Sequence, residues 1–195
     1  MKQSTLKYAT NLSARKVYHA SGMQGLTKIL PRISTHDEPW VYATKDIALA
    51  ALFLNSRGGD LSCSVGYLNG QLHICERWQG AFDDRYKGRN GSIYVLPGDT
   101  FCEGKTSFDA EVVSDVAVSV IREIQVIDAK TYILELERTG QLRIYMFADR
   151  PACYPEDDQD LVDKAVRFAK RYREAVLRYV ELHHPHLLQR VQNAL

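Results

Sequence analysis

Residues 16–53, KVYHASGMQGLTKILPRISTHDEPWVYATKDIALAALF, constrain this chain more than any other stretch. Two short β-prone runs, Val17-Tyr18-His19 and Trp40-Val41-Tyr42-Ala43-Thr44, are separated by a connector bearing Gly22, Gly25 and Pro31. A run with small apolar residues follows at once, Ile47, Ala48, Ala50, Ala51 and Leu54, and Thr44-Lys45-Asp46 supplies a helix start. A helix so lined packs closely on a sheet. His19 and Tyr42 then stand at strand ends with small residues beside them, the makings of a cleft that lacks only a carboxylate. Glu111 is the candidate for that carboxylate.

The remaining pattern predicts an α+β chain. Residues 25–30 suit a turn or short helical segment, and 32–39 read as a polar loop. Two β-type runs, 61–67 and 71–77, flank Asn69-Gly70, a hairpin signal. Residues 80–91 suit a loop or short helix. Further strands are expected at 92–96, at 110–113 and within 117–127, then a helix over 128–139 stopped by Gly140 and a strand over 142–147. The domain proper is placed at 1–149, with a helical extension at 150–195 packed on it and opening on the acids Glu156-Asp157-Asp158. Along that last helix Leu161, Val162, Ala165, Val166, Phe168, Ala169, Tyr172, Val176, Leu177 and Val180 keep a 3.6-residue period. Its Lys/Arg side reads as a solvated face available to a partner protein. The alternative, a basic helix laid on nucleic acid or membrane, is opposed by interspersed acids.

Several function classes recede. A net charge of +1 gives no long-range field for nucleic acid or a membrane surface. The longest apolar run is far too short to span a bilayer, and residues 1–16 lack the apolar core of a signal peptide, so a cytoplasmic protein without a membrane role is expected. Cys63, Cys75, Cys102 and Cys153 are widely spaced, which favours buried reduced thiols over a metal cluster, and no metal is expected. His183-His184-Pro185-His186 reads as a solvated helix end. Neither G-x-G-x-x-G, the P-loop, H-E-x-x-H nor G-x-S-x-G occurs.

Singly, His19 suits a core histidine, Tyr42 a strand aromatic and Glu111 an edge carboxylate. Together with their neighbours they carry a resemblance. Val17-Tyr18-His19-Ala20-Ser21 resembles the Y-H-G-[ST] first strand of the H-Y-E group of ADP-ribosyltransferases, the group of diphtheria toxin, the poly(ADP-ribose) polymerases and the rifampicin ADP-ribosyltransferases, with the tRNA 2′-phosphotransferases more distant. Pro39-Trp40-Val41-Tyr42-Ala43-Thr44 with its alanine-rich helix is similar to the second motif of the group, and Ala110-Glu111-Val112-Val113 to the third. Alanine stands at position 20 where the group usually has glycine.

The resemblance implies a split, mainly antiparallel β-core and NAD as substrate. Glu111 would stabilise the oxocarbenium-like ribose and hold one of its hydroxyls, His19 would donate to a ribose hydroxyl, and Tyr42 would face the nicotinamide. Ala20, Ser21 and Thr44 would line the cofactor, and Arg32 and Ser34, in a loop with His36, would meet the phosphates and adenosine. Lys105, Phe108 and Asp109 would face the acceptor, which is left open among protein, nucleic acid, small molecule and water. Two other readings remain: RNA 2′-phosphotransfer, using Arg32, Arg85, Lys87 and Arg89, and a non-catalytic module binding a nucleotide or peptide.

Overall fold

The computed structural model describes residues 16–33, 38–54, 59–106 and 108–195. In chain order these form β1 (Lys16–Ser21), β2 (Lys28–Ile29), β3 (Arg32–Ile33), β4 (Pro39–Thr44), α1 (Ile47–Ala51), β5 (Cys63–Leu68), β6 (Gln71–Glu76), α2 (Ala81–Tyr86), β7 (Gly91–Pro97), β8 (Cys102–Glu103), β9 (Glu111–Ser114), β10 (Val118–Ser119), β11 (Arg122–Val126), α3 (Ala129–Arg138), β12 (Arg143–Tyr145), α4 (Gln159–His183) and α5 (Leu188–Asn193). The chain is a mixed α/β protein with mainly antiparallel sheets and a C-terminal helix. Its described residues group into two compact units, one within 1–55 and 90–129 and the other within 56–89 and 130–195.

The first unit is built on a seven-stranded sheet in the order β11-β7-β1-β4-β9-β8, with β3 added on β4. Every pairing in it is antiparallel. Six residues of β1 pair with β7, yet only Tyr18 with Thr44 marks its pairing with β4. The two strands therefore part just beyond Tyr18, and the parting opens beside His19 and Tyr42. Val17, Val41, Ala43, Tyr94, Leu96 and Val112 bury one face into a core. α1 packs on β1, β4 and β7, and its Ala48, Leu49, Ala50 and Ala51 are all buried. Asp46 caps it, accepting from the Ala48 amide at 2.8 Å. The helix ends at Ala51, earlier than its apolar run suggests, because Leu52, Phe53 and Leu54 form turns onto Leu49, Ala50 and Ala51.

Residues 25–30 are not helical: Lys28–Ile29 pairs with Val118–Ser119. Nor are residues 32–39 simply a loop, since Arg32 and Ile33 pair with Trp40 and Pro39. β1 continues through Ala20 and Ser21 rather than breaking there.

The second unit holds the β5–β6 hairpin, turned by Asn69 (φ 51°) and Gly70 (φ 79°), the left-handed pair a tight hairpin needs. β12 adds to β6 in parallel. α4 lays Leu161, Val162, Ala165, Ala169, Val176 and Val180 against Leu61, Leu187 and Val191. The histidines after α4 are not a solvated end. His184 is buried with Nε2 2.7 Å from the Leu61 carbonyl, His183 stacks on Trp78 at 4.2 Å, and His186 meets Asp158 at 3.3 Å. Of the four free cysteines only Cys63 and Cys75 are buried, while Cys102 and Cys153 are exposed. Burial pushes the Cys63 thiol up to about 12 and the Cys75 thiol to about 11, so neither serves as a nucleophile at neutral pH. No helix among the described residues is long and apolar enough to cross a membrane.

Candidate active site

Where β1 and β4 part, the side chain of His19 takes over. Its Nδ1 donates to the Tyr42 carbonyl at 2.7 Å, tying the two strands where the ladder has stopped. A carbonyl only accepts, so Nδ1 carries the hydrogen and the neutral ring presents Nε2 as an acceptor. Burial lowers the His19 pKa below 6.5, the bond to Tyr42 works the other way, and the charge of Arg32 lowers it further. The ring is therefore neutral at pH 7 with its hydrogen on Nδ1, which leaves Nε2 able to accept a hydrogen bond, whereas the resemblance implies a donor.

His19, Tyr42 and Glu111, from β1, β4 and β9, line one cavity of about 360 Å³. Register accounts for part of the meeting: Tyr18 sits opposite Thr44 and Thr44 opposite Glu111, so Tyr18, Thr44, Tyr42 and Glu111 share one face of the sheet, while His19, the next residue of β1, lines the cavity where the β1–β4 ladder has stopped. Glu111 is half-buried at the start of β9. Its amide donates to the Phe108 carbonyl at 2.9 Å, and Thr106 Oγ1 donates to the same carbonyl at 3.1 Å. This turn folds the preceding loop back, and Phe108 joins the cavity wall. Tyr18, Leu49, Ala50 and Phe53 line it as well, beside the smaller Ala20, Ala43 and Thr44, and Glu111 is the one acidic residue among the lining side chains.

A second cavity of about 400 Å³ adjoins the first, sharing His19, Ala20 and Tyr42 as a common wall. Ser21, Lys28, Arg32, Ile33 and Trp40 are among its other residues, so it combines two cations with an aromatic and aliphatic surface. β3, unforeseen as a strand, is what holds Arg32 here, in register with Trp40.

The other expected residues divide. Ala20 lies in β1 opposite Ile93, with no positive φ, so alanine is accommodated without backbone strain at the usual glycine position. Thr44 lines the first cavity, but its buried hydroxyl accepts from the Asp46 amide at 3.1 Å and so serves the start of α1. Ser21 lines the second cavity while its Oγ accepts from the Met23 amide at 3.1 Å. Lys105 and Asp109 are exposed and line neither cavity, whereas Phe108 does. Ser34 and His36 lie outside the described residues. Arg85, offered for RNA 2′-phosphate, is buried and bonded to the Ser62 hydroxyl and the Cys63 carbonyl, each at 3.2 Å, which removes it from any phosphate site.

Tyr18 and Phe53 in the first cavity and Lys28 and Trp40 in the second carry no mark in the sequence as ligand-facing. Tyr18 neighbours the motif histidine, but strand alternation assigns it to the opposite face until the β1–β4 parting is known. Phe53 follows the alanine run, and only the early end of α1 turns it to the cavity. No group of three or more His, Cys, Asp or Glu side chains among the described residues is arranged to hold a metal ion. Comparison with protein-family models, curated proteins and solved structures finds no match to this chain.

Proposed function

We propose that the chain is an ADP-ribosyltransferase-like enzyme that cleaves the nicotinamide–ribose bond of NAD and passes ADP-ribose to an acceptor or to water. One observation carries the reading: His19, Tyr42 and Glu111, at widely separated positions, line a single cavity whose other walls are aromatic and aliphatic apart from Thr44. Such a cavity suits a planar cationic ring. Faces of Tyr18, Tyr42, Phe53 and Phe108 attract the nicotinamidium, and the Glu111 carboxylate complements its charge. The adjoining cavity with Lys28 and Arg32 suits the pyrophosphate and the rest of the dinucleotide.

In this mechanism the C1′–N bond breaks with its electron pair leaving on nicotinamide, which departs neutral, and positive charge passes to the ribose. Glu111 stabilises that charge at close range in a partly dehydrated site. His19, fixed by Tyr42, accepts from a ribose hydroxyl through Nε2 and holds the sugar in place. Tyr42 and Phe108 enclose the ring. An acceptor nucleophile, or water, then attacks C1′ and releases a proton.

The test is incubation of the full chain with NAD and quantitation of free nicotinamide by mass spectrometry. Release above the buffer rate supports the enzyme. Calorimetric binding of NAD without release would establish a binding module instead, and neither binding nor release would sink both readings.

A further inference from the structure

Residues 164–173 of α4 read KAVRFAKRYR, five cations and no acid in ten residues. The helix buries Leu161, Val162, Ala165 and Ala169 on its inner side, so the cations point outward, and Arg167, Lys170, Arg171 and Arg173 are exposed. Lys164 reaches Asp160 at 3.6 Å, whereas Arg167, Lys170 and Arg173 join no ion pair among the described residues. The acids interspersed along α4 bracket this run, at Asp163 and Glu174, and do not enter it, so within it cations three and four residues apart repel one another and favour an anion laid across them.

Aromatic rings are interleaved with the charges. The Arg167 guanidinium lies 5.2 Å from the centre of the Phe168 ring and that of Arg171 5.4 Å from the Tyr172 ring. Tyr172 is 57% exposed and stands where the backbone leaves helical geometry (φ −131°, ψ 49°), which displays its ring outward. A kink at this residue is not required by proline or glycine, since KAVRFAKRYR contains neither.

We propose that the 164–173 face of α4 binds single-stranded nucleic acid, its cations on successive phosphates and Tyr172 stacking on a base. The cationic surface spans about 14 Å of helix. Cations with accessible ring faces are the combination that single strands use, phosphate by phosphate and base by base. A bilayer fits less well: an interfacial helix must insert an apolar face, and that of α4 is already buried in its own core. The inference concerns the second unit by itself and does not rest on NAD chemistry.

The experiment is fluorescence anisotropy of a labelled single-stranded RNA of ~12 nucleotides with the full chain across a series of KCl concentrations. With three to five phosphates engaged, log K falls against log salt with a slope of about −2 to −3.5. The triple variant Arg167→Glu, Lys170→Glu, Arg173→Glu weakens binding about tenfold or more at low salt and flattens the slope by about 2. Tyr172→Ala weakens binding several-fold with the slope unchanged. Unaltered circular dichroism and urea midpoint establish that both variants fold. Wild-type binding that is absent, insensitive to salt or unchanged in the triple variant would overturn the proposal. So would a tighter grip on the matching duplex, or capture by phosphatidylserine vesicles in place of RNA.

Discussion

Replacing Arg77 with methionine removes the best-connected buried charge in the second unit. The Arg77 side chain is fully shielded from solvent. Nη1 donates to Ser64 Oγ at 2.8 Å and Asp160 Oδ2 at 2.6 Å, and Nη2 to Asp158 Oδ1 at 2.9 Å and Asp160 Oδ1 at 2.8 Å. Tyr154 covers the guanidinium at 4.9 Å. Asp158 even adopts a left-handed backbone (φ 55°) at the start of α4 without capping the helix, its carboxylate given to Arg77 instead. Methionine fills most of the volume but leaves two carboxylates short of a partner, which costs about 3–5 kcal/mol in buried pairs. The lower end applies, because Asp158 keeps Arg150 and His186 and Asp160 keeps Lys164. Urea unfolding followed through Trp78 fluorescence, in a Trp40→Phe background, measures the loss in this unit.

The pH dependence is a sharper check. Burial opposes ionisation of both carboxyls, yet the Arg77 hydrogen bonds outweigh it, helped by His186 and Arg150 at Asp158 and by Lys164 at Asp160, and both pKa values lie below the usual 3.8. A depressed folded pKa means that the stability is present above the unfolded value and lost as pH falls through the folded one. The gap between wild type and Arg77→Met is therefore full at pH 7 and closes below about pH 4. A variant within about 1 kcal/mol of wild type at pH 7 would refute the reasoning, since that is the scale of an exposed pair. A gap unchanged at acid pH would refute it as well.

Three further expectations follow from the geometry. Arg32→Ala raises the His19 pKa, because a positive charge that lowers it is gone, and weakens NAD binding more than it slows turnover; imidazole titration by NMR and the split between KM and kcat read the two effects. Gly91→Ala destabilises the first unit by about 1–3 kcal/mol, since the added carbon falls 2.5 Å from the Ser21 carbonyl oxygen and must push β1 and β7 apart; a neutral result in thermal unfolding contradicts that close approach. His19, His73 and His184 titrate below their ordinary value because burial disfavours the charged ring, so the unfolded chain takes up protons first as pH drops below about 6.5. Their contribution is complete above that pH and is lost on acidification, and urea stability constant from pH 7 to 5 would contradict it.

What the sequence discloses here depends on how local the physics is. The β5–β6 hairpin announces itself through Asn69-Gly70, because two left-handed residues in succession have few other uses. Asp46 and the alanine run announce α1, and the short β-prone runs of β1, β4 and β7 between turn residues announce strands, because residue type and local breakers are enough. β2 and β10 stay hidden: two residues each, they exist only because chain segments about ninety positions apart meet. Arg77 with Asp158 and Asp160 is hidden for the same reason, separated by 81 and 83 positions. In the site, His19, Tyr42 and Glu111 are legible as residue types on strands, but that His19 and Tyr42 lie inside β1 and β4 rather than at their ends is not. The direction of the His19 hydrogen bond is not legible either, because it depends on the parting of β1 from β4, and neither is Phe53, whose place follows from the early end of α1.

If Glu111 serves the ribose of NAD in the cavity it shares with His19 and Tyr42, turnover depends on its charge. Glu111→Gln keeps the size and a hydrogen-bonding group while removing the charge. Nicotinamide release and calorimetric NAD affinity, measured together on this variant, test that role most directly. Release falls about 100-fold or more while NAD affinity changes only a few-fold. Release at the wild-type rate from the folded variant would contradict the role.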